Sequence, residues 1–364
     1  MKTVTGTEQL SKIVLQGFMS IFDCEIELGK LNVLIGCNGA GKSNFFGFFR
    51  MIQQVLENNL QLYVSKQGGP DALLHFGRKK TKSIKTELYF RNNGYQCTLE
   101  PTADNRMIIA NESFWQDISG SRKIASGHFE SLAQKDAYTK IDQHVLTALK
   151  QWRVYHFDDT GASAPVKQIH GINDNAYLRP DAENLAAYLY LLKQKHNNHY
   201  QRIVKTIRLA APFFGDFNLR PTPYNKDMIE LEWVEKGQDA PFKAHRLSDG
   251  TLRFACLTTL FHQPSEKQTE TILVDEPELG LHPYAIKVLA SLMKSASKQN
   301  QVIVSTQSVE LLDEFDPEDV IVVDRKEGQS VFRRQKEEEL HKWLEDYSLG
   351  ELWKKNILGG RPAR

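Results

Sequence analysis

The sequence predicts an α/β protein: a mixed central sheet flanked by helices, an antiparallel β region after the first helix, and a helical insert in the middle of the chain. Three observations predict it. A short apolar run at 31–35 ends at a glycine and is followed by a Phe-rich helical stretch. Further apolar runs at 271–274 and 301–305 each give way to a helical pattern. Between the first run and those two, Asn92-Asn93-Gly94 separates two period-2 stretches, which is a hairpin signal.

Composition places the chain among ordinary globular proteins, with 364 residues, 41% hydrophobic and 25% charged. That length fits two domains or one large α/β unit with an insert. A net charge of +1 gives no global attraction to nucleic acid or to an anionic membrane, although local basic patches remain open. No apolar run approaches the roughly 18 residues that span a bilayer. The N-terminal MKTVTGTEQLSK has no apolar signal core. Cys24, Cys37, Cys97 and Cys256 form no C-x-x-C pair, so neither a zinc site nor a disulfide framework is expected, and a cytoplasmic location without membrane is the expectation.

Taken in order, residues 13–28 read as two strands around a turn at Gly17, and 31–35 as a buried strand. Residues 43–57 read as a helix with too many apolar positions for a single stripe, hence buried on most sides. Residues 83–90 and 95–99 form the hairpin around Asn93-Gly94, with short strands continuing to about 109. Beyond 112 the chain is polar with weak helical periodicity as far as 149. Residues 154–157 read as a strand, 184–195 and 199–211 as helices, and 213–234 as short strands broken by Pro221-Thr222-Pro223. After 247 come a helix capped by Ser248 or Asp249, the strand 271–274, and a helix opening at Pro283 with inner face Ile286, Leu289, Met293 and Ala296. The strand 301–305, a cap at Ser308 and the strand 320–323 follow. No heptad or internal repeat is present, which excludes a long coiled coil. These signals divide the chain into an N-terminal part (1–110), a mixed helical insert (111–240) and a C-terminal part (241–364).

Residues 36–43, GCNGAGKS, fit G-x-x-x-x-G-K-[ST] between a strand and a helix, the context that makes this pattern a phosphate site. Backbone N–H groups of Gly36, Asn38, Gly39, Ala40 and Gly41, with Lys42, Ser43 and Asn44 at the helix start, are the expected nucleotide contacts. The helix adds its positive N-terminal end. Lys42 would reach the β- and γ-phosphates, and Ser43 would ligate Mg²⁺. The strand 271–274 runs into Asp275-Glu276. Asp275 suits Mg²⁺, and Glu276 suits orientation or deprotonation of an attacking water. Between these two sites lies a basic cluster, Arg78, Lys79, Lys80, Lys82 and Lys85. It reads either as a face for phosphate backbones or as a solvated sheet edge guarded by lysine.

With LSDGTLR at 247–253, LVDEPELGLHP at 273–283 and STQSVELLD at 305–313 beside the phosphate loop, the sequence resembles a P-loop NTPase of ABC-ATPase type. Within that type it is similar to the SMC/RecF-like branch and to the bacterial AAA-class ATPases related to the ATPase half of OLD nucleases. The resemblance implies ATP and Mg²⁺ as ligands. It implies a homodimer in which Ser248 and Gly250 of one head cap the γ-phosphate held by the other, with residues 279–282 crossing the interface. It places a γ-phosphate sensor at Gln307, where many relatives have histidine; glutamine donates a hydrogen bond but carries no charge. His156-Phe157-Asp158-Asp159 falls where a Mg²⁺-coupling glutamine is expected, with His156 read as structural. The stretch after Gln307 shows no D-x-D following a strand, so a nuclease or toxin effector is expected on a separate polypeptide.

Two functions follow from these readings. The first is a nucleotide-gated dimeric ATPase switch, in a setting that resembles antiphage defence. The alternative is a RecF/SMC-like DNA-binding ATPase of repair or recombination.

Overall fold

The computed structural model describes residues 9–360. Strands β1 (Lys12–Phe18), β2 (Ile21–Glu27) and β3 (Leu31–Ile35) lead into helix α1 (Lys42–Leu56), then α2 (Leu60–Lys66) and α3 (Pro70–Leu73). A run of antiparallel strands follows: β4 (Ile84–Phe90), β5 (Asn93–Pro101), β6 (Met107–Gln116) and β7 (Gly120–Ala125). Helices α4 (Ala133–Asp136) and α5 (Lys140–Lys150) precede β8 (Val154–Tyr155) and β9 (His170–Gly171). Then come α6 (Leu185–Lys195), α7 (Asn197–Ala210) and the short strands β10 (Phe214–Phe217), β11 (Met228–Ile229), β12 (Glu232–Glu235) and β13 (Phe242–Lys243). Helix α8 (Asp249–Phe261), β14 (Thr271–Asp275), α9 (Pro283–Ser297), β15 (Gln301–Thr306) and α10 (Val309–Leu312) carry the C-terminal motifs. Strands β16 (Val320–Lys326) and β17 (Gln329–Arg334) and helices α11 (Glu337–Leu344) and α12 (Leu349–Lys354) complete the chain.

Two six-stranded sheets result, the antiparallel β2-β1-β4-β5-β6-β7 and the mixed β17-β16-β3-β15-β14-β8. In the mixed sheet β3 runs parallel to both β15 and β16. All five of its residues are buried, as in a central strand with both faces covered. The chain divides into two compact units. One comprises residues 1–154, 269–273 and 300–364; the other comprises 155–268 and 274–299. Strands β8 and β14 cross from one to the other. The expected boundaries at 110 and 240 do not coincide with this division, because the antiparallel sheet runs on through β6 and β7 and the final strands return to the N-terminal unit.

In the first unit, α1 buries Phe45, Phe46, Phe48, Phe49, Met51 and Ile52. These share one core with residues of the antiparallel sheet and with Leu34, Ile303, Ile321 and Val323 of the mixed sheet. Contact with two sheets explains why its apolar positions exceed one stripe. In the second unit, α8 is buried continuously from Leu252 to Phe261, and α9 turns Ile286, Leu289, Met293 and Ala296 inward as expected.

Three local expectations are corrected. The first turn is at Met19-Ser20, not Gly17. Gly17 stays within β1 at φ 76, where a Cβ would sit 2.4 Å from the Ser83 carbonyl oxygen. The β4–β5 turn is Arg91-Asn92, with Phe90 paired to Asn93. Gly94 is an in-strand residue at which an added Cβ would lie 2.4 Å from the Leu88 carbonyl oxygen. Residues 112–125, read as weakly helical, are the rest of β6 and all of β7. Glu112 is fully buried there and accepts from Tyr95 Oη (2.6 Å), Ser131 Oγ (2.5 Å) and Leu132 N (3.0 Å). A buried carboxylate satisfied by three donors carries no signal in hydropathy.

Candidate functional site

The phosphate loop belongs to the first unit. Strand β3 stops at Ile35 and α1 begins at Lys42, with Gly41 at its N-terminus in a left-handed conformation, φ 115. Gly39 is also left-handed, at φ 79. At Gly36 an added Cβ would lie 2.3 Å from the Val323 carbonyl oxygen. At Gly41 it would lie 2.0 Å from Ser330 Oγ. Glycine is thus required at both ends of the loop by the wall behind it, and at Gly41 by its φ as well.

Lys42 is buried at 5% exposure, and its Nζ donates to the carbonyls of Gly36 (2.7 Å) and Cys37 (3.2 Å). Its ammonium is therefore held across the loop mouth, not extended into solvent. Asn38, Gly39 and Ser43 are exposed, and Ala40 is buried. The loop is anchored from outside. Arg325 Nη1 donates to Gly39 O (3.0 Å), Ser330 Oγ to Ala40 O (2.6 Å), and Cys37 N to Gly360 O (2.9 Å). A trans peptide directs its N–H opposite to its carbonyl. With the Ala40 carbonyl turned to Ser330, the Gly41 N–H faces the other side, the direction an anion-binding loop needs. These residues fit a polyphosphate: an orientated amide, two left-handed glycines, a pre-placed ammonium and a helix N-terminus.

Gln307 follows β15, whose Thr306 pairs with Ile35 in register, so this residue leaves the sheet beside the strand that feeds the loop. Ser308 caps α10 through Leu311 N (3.1 Å), as expected. Asn44 Nδ2 donates to Ser20 Oγ (2.7 Å). A cavity of about 610 Å³ opens in the same unit, lined among others by Ser20, Asn44, His75, Phe76 and Arg325. Phe76 is 64% exposed, takes φ 53, and packs edge-on against His75.

The second unit carries the other expected residues. Asp275 ends β14 and is buried, while Glu276 beside it is half-buried with φ 45. A left-handed glutamate is an uncommon, strained conformation, of a kind concentrated at working sites. His156 sits against this turn: its Nδ1 lies 3.2 Å from the Asp275 carbonyl oxygen and its Nε2 3.2 Å from Asp158 Oδ2. Ser248, not Asp249, is the N-cap of α8. Its Oγ accepts from Thr251 N (3.3 Å) and shares a hydrogen bond with Thr251 Oγ1 (2.8 Å). Gly250 lies against Gly280, where a Cβ would meet the Gly280 carbonyl oxygen at 2.4 Å. The signature loop and residues 279–282 are therefore in backbone contact within this unit.

Sequence reasoning assigned no role to four residues that build these sites. Arg253 is buried, donates from Nε to Phe157 O (2.6 Å) and from Nη2 to Asp158 O (3.0 Å), and bonds Leu279 O through Nη1. Its place in LSDGTLR was the available signal. Ser20, Arg325 and Ser330 wall the phosphate loop from remote positions, and no local pattern marks them. In the basic cluster, Arg78 is structural: it grips Asp71 (3.0 Å), Thr102 O (3.1 Å) and Asn105 Oδ1 (2.5 Å). Lys79, Lys80, Lys82 and Lys85 are exposed. No described helix is long and apolar enough to cross a membrane.

A loop of this kind between β3 and α1, with a helix-flanked mixed sheet and an antiparallel sheet, defines a P-loop NTPase of ABC-ATPase type. The same fold appears in the SmcHead bound to the C-winged helix domain of ScpA, 19% identical over 91% of this chain and 99% of that one, TM-score 0.62. It appears again in the Smc head domain with an extended coiled coil, bound to the C-terminal domain of ScpA derived from Pyrococcus furiosus. That match is 17% identical over 93% of this chain and 98% of the other, TM-score 0.58. No curated protein matches the chain in sequence. The chain belongs to the family described as "AAA domain, putative AbiEii toxin, Type IV TA system", which matches residues 31–313.

Proposed function

We propose that the chain binds ATP with Mg²⁺ and hydrolyses it, acting as a nucleotide-gated dimeric switch in an antiphage or toxin–antitoxin-like system with a separately encoded effector. The observation that carries the ATP reading is the preformed phosphate loop, with Lys42 already lodged at its mouth. Lys42 and the Gly41 N–H hold the phosphates. Ser43 and Asp275 are the residues that would hold Mg²⁺, which neutralises charge on the phosphate oxygens. Glu276 orients and deprotonates the attacking water, and Gln307 donates a hydrogen bond to the terminal phosphate. The cavity beside Asn44 takes the base and ribose, with Phe76 as its aromatic face.

The exposed, Ser248-capped start of the 13-residue helix α8 supports the dimeric part, since it offers a hydroxyl and a positive helix end to a phosphate held by a second copy. The family's description supports the setting. Glu276→Gln is expected to lower kcat roughly 10²-fold or more, to retain ATP binding, and to shift the chain to a dimer with ATP in light scattering. Wild-type turnover by Glu276→Gln overturns its role.

The exposed lysines 79, 80, 82 and 85 support a second reading, a DNA-binding ATPase. It predicts duplex binding that weakens steeply with salt and is reduced by replacing those lysines with alanine. Salt-independent or absent binding removes it.

A further inference from the structure

The wall behind the phosphate loop contains a hydrogen-bond chain whose direction is fixed. Ser330 Oγ donates to Ala40 O at 2.6 Å, which uses its only proton. The 2.7 Å contact between Ser330 Oγ and Ser20 Oγ must then be donated by Ser20. Ser20, its proton spent, accepts from Asn44 Nδ2, also at 2.7 Å. The proton order is Asn44 to Ser20 to Ser330 to the Ala40 carbonyl, with no alternative arrangement of the hydroxyls. Ser330 is fully buried and Ser20 is 7% exposed. The Ser330 N–H also donates to Ser20 O at 2.7 Å, so the two serines are tied twice across 310 residues of sequence. Gly41 has room for Ser330 only because it lacks a Cβ.

We infer that Asn44, Ser20 and Ser330 are positioning residues that lock the Ala40–Gly41 peptide with its N–H turned to the phosphate side. This inference rests on the ATP reading above. It assigns to hydrogen bonds behind the phosphate loop a share of the affinity for phosphate, and it gives the residue after Ser43 a task in holding that loop. Ser330→Ala removes the donor to Ala40 O itself, whereas Ser20→Ala leaves that bond and removes the donor that fixes the direction of Ser330 Oγ.

The test uses the full chain with Ser330→Ala, Ser20→Ala and the double replacement. Ser330→Ala is expected to raise the ATP KM and the ADP Kd about tenfold, with kcat at saturating ATP within about twofold of wild type, and Ser20→Ala to raise both constants by less. The double variant is expected to be no worse than Ser330→Ala, since Ser20 acts on the loop only through Ser330. Hydrogen exchange is expected to quicken in the segment 36–46 of all three variants, most in those lacking Ser330, without nucleotide present. Additive losses in the double variant, or unchanged KM and Kd alongside faster exchange, would overturn the positioning role. Unchanged exchange in the loop overturns the lock itself. If wild type bound neither ATP nor ADP, the ATP reading would fall, and the exchange measurement would still decide whether the chain holds the loop.

Discussion

At the scale of single residues, Arg253 ties together segments far apart in the sequence. One guanidinium serves carbonyls from two separate segments, Phe157 and Asp158 on one side and Leu279 on the other. Its planar fork carries several donors in fixed directions, which an ammonium cannot reproduce. Arg253→Met leaves three carbonyls without this donor and is expected to cost about 3 kcal/mol of stability in urea unfolding, and Arg253→Lys is expected to recover little of it. Phe76 belongs to the same scale. It is an exposed aromatic in a left-handed conformation, and an added Cβ at Gly328 would come within 3.0 Å of its Cζ, so the ring is closely backed on one side. If its open face stacks on the base, Phe76→Ala raises the Kd for ATP and ADP by about tenfold. Its affinity for inorganic triphosphate should stay the same, and an equal loss for triphosphate would show that the effect is not on the base.

Elements show why the sequence was legible in some places and not in others. Strand β3 and helix α1 were legible because period and loop chemistry agree, and α8 and α9 because Ser248 caps the one and Pro283 opens the other. Gly17 and Gly94 misled because glycine has two meanings. It marks turns, but it also marks a place where another backbone comes close, and here the Ser83 and Leu88 carbonyls require it. Strand β7 was hidden because it pairs with β6 on one side only, at the end of its sheet. The walls of the phosphate loop were illegible for a different reason: hydroxyls 310 residues apart leave no local pattern.

An element-scale expectation concerns α7 and α8. His262, just after α8, points Nε2 at Thr206 Oγ1 (3.0 Å), and its carbonyl lies 2.9 Å from His199 Nδ1. Burial, aided by the nearby Arg202 and His199, pushes its pKa down from 6.5 to about 4. The folded state therefore refuses a proton that the unfolded chain accepts once the pH drops below 6.5. Its effect is absent above about pH 6.5, and stability falls as the pH drops from there toward 4, by at most about 3 kcal/mol. Urea midpoints for His262→Gln should be flatter than wild type across that window; parallel curves would remove His262 as the source.

At the scale of the whole molecule, chain order and spatial order disagree. Strand β3, made near the start of the chain, is flanked by β15 and β16, which come some 270 to 290 residues later in register. Its five buried residues have no sheet neighbour until both arrive. The first unit cannot close its core before then either, because Ile303, Ile321 and Val323 belong to the same cluster as Phe45 and Phe49. Closing so long a connection costs only slowly growing entropy, but it places the decisive pairings late and leaves an apolar strand with two open edges meanwhile. Folding is thus expected to be slow for the chain's size, as non-local pairing dictates. A chain ending at residue 299 lacks both neighbours of β3 and is expected to be insoluble. Supplying residues 300–364 as a separate polypeptide during synthesis is expected to restore soluble protein in part. A soluble, cooperatively melting 1–299 fragment would show that the antiparallel sheet and α1 complete a core without β15 and β16, and that the mixed sheet is assembled onto a unit already folded.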